Sequence, residues 1–339
     1  MSDINKSTSW PKDWYQGSKS TLCVGCGHDS ITTQIINALY KSKVNPFEVA
    51  KLSGIGCSSK TPTYFLSKSH GFNSIHGRMA PLATGVHLAQ RHLKLIGVSG
   101  DGDTASIGLG GFLHLLRRNV PMVYIVENNG VYGLTKGQFS ATADSGSNLK
   151  SGSTNPFKTI DLCSMALQAG CDFVARSFSG DAKQLQALLS AALRHPGTAF
   201  IDILSPCVTF ANHDGSTKSF SYIKEHNLHL QEMGFIQPQE EVKIDYEEGQ
   251  STEVKLHDGS ILWLAKIDSK VFSANDRTEA LIQIRSAEEK GQILTGLFYM
   301  NSETQYLAES LNLSQQPLAS QKLEVPSQAT LDRLLEEFY

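Results

Sequence analysis

LKLIGVSGDGD, residues 93–103, and VPMVYIVENNG, residues 120–130, are two nearly unbroken apolar runs that each stop abruptly at glycine, aspartate or asparagine. A strand covered on one face alternates apolar with polar side chains, whereas one covered on both faces has no wet side to present. LIGV and MVYIV do not alternate, so both read as central strands of a sheet with helices above and below. Working outward, Val49 to Ile55, Asp172 to Arg176 and Ala199 to Leu204 read as further strands. Helical spacing occupies Ser30 to Tyr40, Ala83 to His92, Ile107 to Arg118, Ile160 to Gln168 and Ala182 to Arg194. Such alternation predicts an α/β fold, a doubly wound, mostly parallel sheet with helices on both faces.

The full chain has 339 residues, room for one large domain and an appendage. We divide it into an N-terminal arm (1–20), an α/β domain (21–236) and a C-terminal extension (237–339). The extension opens with an acidic, alternating stretch (Glu240 to Glu253), followed by an apolar run (Ile261 to Ala265), the strand-like QILTGLFYM and a helical pattern from Leu331 to Phe338. It reads as a small β-rich lobe. The Ser-, Gly- and Asn-rich segment Ala143 to Asn155 reads as a flexible loop able to cover a site. Thirty basic and 33 acidic side chains give a net charge of −3, which supplies no pull towards nucleic acid or an anionic bilayer. With 40% apolar and 19% charged residues the chain folds around a core. No run approaches the roughly 18 apolar residues of a membrane span, and MSDINKSTSWPKDWY lacks a signal-peptide core, so a cytoplasmic protein is expected.

In doubly wound sheets ligands sit beyond the carboxyl ends of the strands. The loops there read Gly54-Ile55-Gly56-Cys57-Ser58-Ser59, Gly100-Asp101-Gly102-Asp103, Asn128-Asn129-Gly130-Val131 and Ser205-Pro206-Cys207. Each alone is an ordinary turn sequence; four together suggest one shared site. Mg²⁺ takes about six oxygens and keeps part of its shell on phosphates. Asp101, Asn129 and the Val131 carbonyl would form the protein half of that shell. The glycines would let the main chain approach a diphosphate, and the helix start near Ser106 to Gly108 would offer amide donors. Gly-Asp-Gly followed 28 residues after Asp101 by the second asparagine of Asn-Asn resembles the thiamine-diphosphate-binding motif. No phosphate-loop sequence occurs, and Gly108-Leu109-Gly110-Gly111 has the wrong spacing for a dinucleotide fingerprint.

Six cysteines in a reducing compartment favour ligation, redox chemistry or burial over disulfides. Cys23-x-x-Cys26 has no second such pair, as a zinc ribbon would need, and Gly27 separates it from His28, against haem attachment. A thioredoxin-like redox pair at the start of a helix stays open. Cys57 and Cys207 lie in loops on the same rim, so four thiolates could meet; by count they suit zinc or a 4Fe-4S cluster equally. Cys163 and Cys171 flank an apolar helix and read as small buried hydrophobes.

Taken together, six ordered motifs between Thr21 and Phe210 resemble the β subunit of the 2-oxoacid:ferredoxin oxidoreductases. They are Cys-x-Gly-Cys-Gly-His, Gly-Ile-Gly-Cys-Ser-Ser, His76-Gly77-Arg78 with Pro81 and Gly85, Gly-Asp-Gly-Asp, Asn-Asn-Gly-Val-Tyr-Gly-Leu-Thr-Lys-Gly-Gln and Ser-Pro-Cys. The resemblance implies a 4Fe-4S cluster on Cys23, Cys26, Cys57 and Cys207, and Mg²⁺ on Asp101, Asn129 and Val131. It further implies thiamine diphosphate beside Ile55, Gly56, Cys57, Ser58, His76, Gly100, Asp101, Gly102, Asp103, Asn129 and Leu134. Lys60 would lie near the reacting 2-oxoacid, and Lys60 and His76 are the candidate catalytic residues. The chain departs from the family pattern at Leu22, Val24 and Ala141, none of which removes a ligand atom.

The implied reaction is coenzyme A-dependent oxidative decarboxylation of a 2-oxoacid, with electrons passed to ferredoxin. A β chain of this length resembles the 2-oxoglutarate type more than the pyruvate type. The chain offers one diphosphate-side domain and no acid for the aminopyrimidine ring, since nothing in Glu127's position makes it that acid. An α subunit is therefore expected to complete the site, in a dimer of heterodimers. A cluster-free thiamine-dependent decarboxylase leaves the cysteines unexplained, and a non-enzymatic metal-binding module leaves the Asp and Asn loops unexplained. His28 reads equally as a helix cap or a cofactor contact; His87 and His92 as surface or packing residues on a helix; Met79, Tyr132 and Phe139 as packing.

Overall fold

A computed structural model describes residues 10–135, 137–147, 153–208, 240–256, 261–314, 316, 321 and 325–336. Six strands run parallel: β1 (Val49–Ser53), β2 (His70–Asn73), β3 (Lys94–Gly100), β4 (Met122–Asn128), β7 (Phe173–Phe178) and β8 (Thr198–Leu204). A short separate hairpin joins β5 (Val131–Tyr132) to β6 (Gln138–Phe139). The sheet continues through β9 (Ser251–Lys255), β10 (Ile261–Lys266) and β11 (Ile293–Met300) to nine strands, in the order β2-β1-β3-β4-β8-β7-β11-β10-β9.

The unbroken apolar runs have the cause inferred from sequence. On β4, Met122, Tyr124 and Val126 enter one core while Val123 and Ile125 enter the other. On β3, Leu95 faces the first core, and Ile96 and Val98 the second. The first core is closed by α2 (Met79–Ala89), α3 (Leu109–Arg117), α4 (Leu162–Gln168) and α6 (Arg277–Glu289), the second by α1 (Gly27–Lys41) and α5 (Ala182–Ala192). Asp161, Asp181 and Asp276 start α4, α5 and α6 by accepting main-chain N–H bonds, the ordinary role of an N-cap carboxylate. Among the described residues no helix is long and apolar enough to cross a membrane.

Three expectations change. Strands β9 to β11 do not stand apart as a lobe: β11 pairs antiparallel with β7, carrying the sheet onward. The domain division at residue 237 lies outside the described residues. His92 is beyond the end of α2. The flanks of the Ala143–Asn155 loop are tied down: the Asn155 amide donates to the carbonyls of Ala143 and Asp144, both at 3.1 Å, and Ala143, Ser147 and Asn155 are buried. Residues 148–152 of that loop lie outside the described residues.

Candidate functional site

From β1 the chain steps to β2 on one side and then to β3 on the other, which opens a crevice at the carboxyl ends of β1 and β3. Register brings the neighbouring ends close to level: Ser53 stands opposite Val98, Gly100 opposite Glu127, and Asn128 opposite Leu204. The loops of β1, β3, β4 and β8 therefore start side by side. A cavity of about 250 Å³ lies at this rim, lined by Ile55, Gly56, Cys57, Ser58, His76, Gly100, Asp101, Gly102, Asp103, Asn129, Val131 and Leu134. His28, Glu127 and Tyr132 complete much of the wall.

Asp101 is 1% exposed and firmly oriented. Its Oδ1 accepts the Asn129 N–H at 3.2 Å, and its Oδ2 accepts the hydroxyls of Ser140 and of Thr142, the latter at 2.6 Å. The Asn129 amide oxygen in turn accepts the Val131 N–H at 3.1 Å. A carboxylate offers about four lone-pair sites, so these bonds orient Asp101 and leave acceptor capacity for a cation. Beyond Asp101 the backbone widens into a π turn, Gly102–Ile107, before α3 begins; such turns recur at functional sites. A Cβ on Gly102 would lie 2.5 Å from the Tyr132 ring, whose hydroxyl donates to the Gly102 carbonyl at 2.9 Å.

Asp103 points at protein. It accepts the Gly77 N–H at 2.7 Å and the Ser99 hydroxyl at 3.0 Å, pinning the turn that carries His76, itself exposed at the cavity. Gly56, at φ 102° and ψ −165°, occupies backbone space open in practice to glycine alone, and turns the chain into the short helical segment Cys57–Thr63. The Ser58 hydroxyl oxygen there is buried and has no hydrogen-bond partner among the described residues. Lys60, half-buried in the same segment, is not part of the cavity wall, although its charge acts on Cys57.

Cys23, Cys26, Cys57 and Cys207 are of intermediate exposure. Cys26 precedes α1 and its N–H donates to the Cys23 carbonyl at 3.0 Å. Burial raises the Cys26 thiol above its ordinary range despite the His28 N–H directed at it, and Cys207, Glu127 and Cys23 add to the rise. Burial raises Cys57 as well, and Cys207 and Cys23 act on it too. Cys23 and Cys207 thus each act on both Cys26 and Cys57. Among the described residues no three or more His, Cys, Asp or Glu side chains stand as a preformed single-ion site. A low-pKa nucleophile at the helix start, the basis of the redox-pair reading, is the opposite of what burial imposes on Cys26.

Behind these loops lies a buried polar group. Glu127 is fully buried and accepts the Thr61 hydroxyl at 2.9 Å and 3.0 Å on its two oxygens. His28 Nδ1 pairs with the Ser205 hydroxyl at 2.7 Å, and its Nε2 approaches Glu127 at 3.6 Å. Burial lowers His28 to about 4 and raises Glu127 well above the carboxylate range. Both shifts favour the neutral forms, so we do not count the contact as an ion pair. His28 makes no capping bond; it faces the cavity.

Ser140 and Thr142 escaped the sequence reading. They stand in a turn just after β6, closed by the Ala143 N–H to the Ser140 carbonyl at 3.1 Å, and carry no motif of their own. Tyr132 was read correctly as packing, but what it packs is the backbone of the Gly-Asp-Gly loop. Cys163 and Cys171 are fully buried and contact main-chain carbonyls, as small hydrophobes do.

Residues 54–203 match the family described as thiamine pyrophosphate enzyme, C-terminal TPP binding domain. A "2-oxoacid:ferredoxin oxidoreductase subunit beta" of Saccharolobus solfataricus is 40% identical over 199 residues, 58% of this chain and 65% of that protein. The chain thus spans just under two thirds of that relative. A "2-oxoglutarate synthase subunit KorB" of Methanocaldococcus jannaschii is 34% identical over 217 residues, 62% of this chain and 78% of that protein. A solved 2-oxoglutarate:ferredoxin oxidoreductase from Magnetococcus marinus, with 2-oxoglutarate, coenzyme A and succinyl-CoA bound, superposes with a TM-score of 0.74 at 26% identity, covering 98% of this chain and 97% of that one.

Proposed function

The chain belongs to the family of 2-oxoacid:ferredoxin oxidoreductase β subunits, and from that premise we propose that it is the diphosphate-side subunit of a cytoplasmic enzyme converting 2-oxoglutarate and coenzyme A to succinyl-CoA, CO₂ and reduced ferredoxin. The observation that carries this is the meeting, at one cavity, of a firmly held Asp101–Asn129–Val131 loop, an orphaned Ser58 hydroxyl and Cys57, on whose thiol Cys23 and Cys207 act. The substrate follows the relatives named for 2-oxoglutarate; pyruvate is the alternative.

The residues fit the implied groups. A buried hydroxyl without a partner costs free energy until a ligand supplies one, and Ser58 waits at the cavity wall. Asp101, Asn129 and the Val131 carbonyl would hold Mg²⁺; Ser140 and Thr142 keep Asp101 aimed. Cys23, Cys26, Cys57 and Cys207 would hold a 4Fe-4S cluster, and deprotonating Cys26 and Cys57, which burial has raised, calls for the compensating charge of bound iron. Thiamine diphosphate, when bound, supplies the electron sink for decarboxylation, and the cluster a one-electron outlet. Asp103 fixes the His76 turn at the cavity mouth, and Lys60 would serve the substrate carboxylate from beside Cys57. Glu127, buried and shared with Thr61, is not available as the acid for the aminopyrimidine ring. We assign that acid to an α subunit, whose docking is favoured by Ile75 and Leu134, exposed by 73% and 59% beside and at the cavity.

The decisive test is anaerobic co-purification with the α subunit, iron, sulfide and thiamine analysis, and turnover across a panel of 2-oxoacids. Asp101→Ala is expected to weaken thiamine diphosphate binding by more than about tenfold, the loss typical of an outer-shell partner alone, while keeping iron. Cys207→Ala is expected to lose iron and keep cofactor affinity. Normal ferredoxin reduction by both variants would refute the site; full turnover by the isolated chain would refute the need for a partner.

A further inference from the structure

Each loop that carries a thiol or the Asn129 ligand also carries, within a few residues, a polar side chain turned inward. His28 follows Cys26 by two residues, Thr61 follows Cys57 by four, Ser205 precedes Cys207 by two, and Glu127 precedes Asn129 by two. All four are at most 1% exposed. They form two bonded pairs in contact: Thr61 donates to both Glu127 oxygens, Ser205 pairs with His28 Nδ1, and His28 Nε2 packs 3.6 Å from Glu127, beyond hydrogen-bond reach. Little slack remains, since a Cβ on Gly27 would lie 2.7 Å from the Ser205 hydroxyl. Glu127 also lines the cavity.

Polar side chains so deeply buried cost free energy unless their partners are in place, so two hydrogen-bonded pairs packed against each other hold the segments they join in one arrangement. Here those segments are the loops around two proposed centres. Resting on the function proposed above, we infer that Glu127 is a positioning residue: with Thr61, His28 and Ser205 it locks the loops of Cys26, Cys57, Cys207 and Asn129 to one another, and so sets where the cluster stands relative to the diphosphate. Its role is mechanical, that of an outer-shell partner holding ligands in place.

The test uses the anaerobically purified complex with Thr61→Val, Thr61→Ser, Glu127→Leu and, as a destabilised control in the first core, Phe298→Ala. Readouts are iron retention against a chelator, the electron paramagnetic resonance spectrum of the reduced protein and the thermal unfolding midpoint. Thr61→Val and Glu127→Leu are expected to weaken iron retention by about tenfold or more and to change the spectrum, with Thr61→Ser restoring both. Phe298→Ala is expected to lower the midpoint and leave iron retention and spectrum as in the parent. Should Glu127→Leu not fold, the Thr61 pair decides. Parental iron retention and spectrum in Thr61→Val overturns the inference, as does equal iron loss in Phe298→Ala. A parent complex without iron overturns instead the function on which the inference rests.

Discussion

His28 and Glu127 sit together, yet acid affects them in opposite ways. His28 has a folded value near 4 against an unfolded value of 6.5, so between those limits the unfolded chain binds the proton first and stability falls as pH drops. The full effect of such a shift is roughly 3 kcal/mol. Glu127, raised by burial, binds its proton first in the folded chain and adds stability as pH falls from its raised value towards the unfolded one. Because the two oppose each other, the informative quantity is a difference. In the cofactor-free chain, His28→Gln is expected to flatten the loss of urea stability between about pH 6.5 and pH 4 relative to the parent; parallel pH profiles would show that His28 is not held neutral.

At the scale of elements, β11 is the hinge between the parallel sheet and its continuation. Its pairing with β7 shifts register between Leu297 and Tyr299, leaving Phe298 as the bulged residue. The bulge sends Phe298, fully buried, into the first core beside Ala280 and Ile284 of α6. One face of Phe298 also meets the Arg176 guanidinium at 5.8 Å, and Arg176 is paired to Asp202 at 2.9 Å and to Asp161. Phe298→Ala empties that position and is expected to lower stability by about 3–5 kcal/mol, the usual cost of deleting a buried phenyl group. A change under about 1 kcal/mol in urea unfolding would mean that the bulge does not seat the residue as described.

For the whole molecule, a continuous sheet implies that the C-terminal strands protect its edge. Removing everything after residue 250 would bare the β7 edge and open the small core formed by Phe178, Val254, Leu256, Leu262 and Leu264. An unpaired apolar edge recruits other chains. The truncated protein is expected to aggregate on size-exclusion chromatography; a soluble truncation that still bound thiamine diphosphate would restore the picture of an independent lobe.

The residues themselves determined the parallel half of the sheet and the strand ends at which the candidate site lies. LIGV and MVYIV carry no polar side because two cores claim alternate residues, and Gly-Asp-Gly and Asn-Asn mark strand ends because only short polar or glycine residues suit such turns. Spacing along the chain could even nominate four thiols for one place. Only the tertiary structure decided that Glu127, His28, Thr61 and Ser205 form one buried group, that Ser140 and Thr142 aim Asp101, and that β9 to β11 join the sheet. The physical reason is that period and turn chemistry are local, whereas hydrogen-bond partners separated by 39 or 177 residues meet only once strand register and order are set.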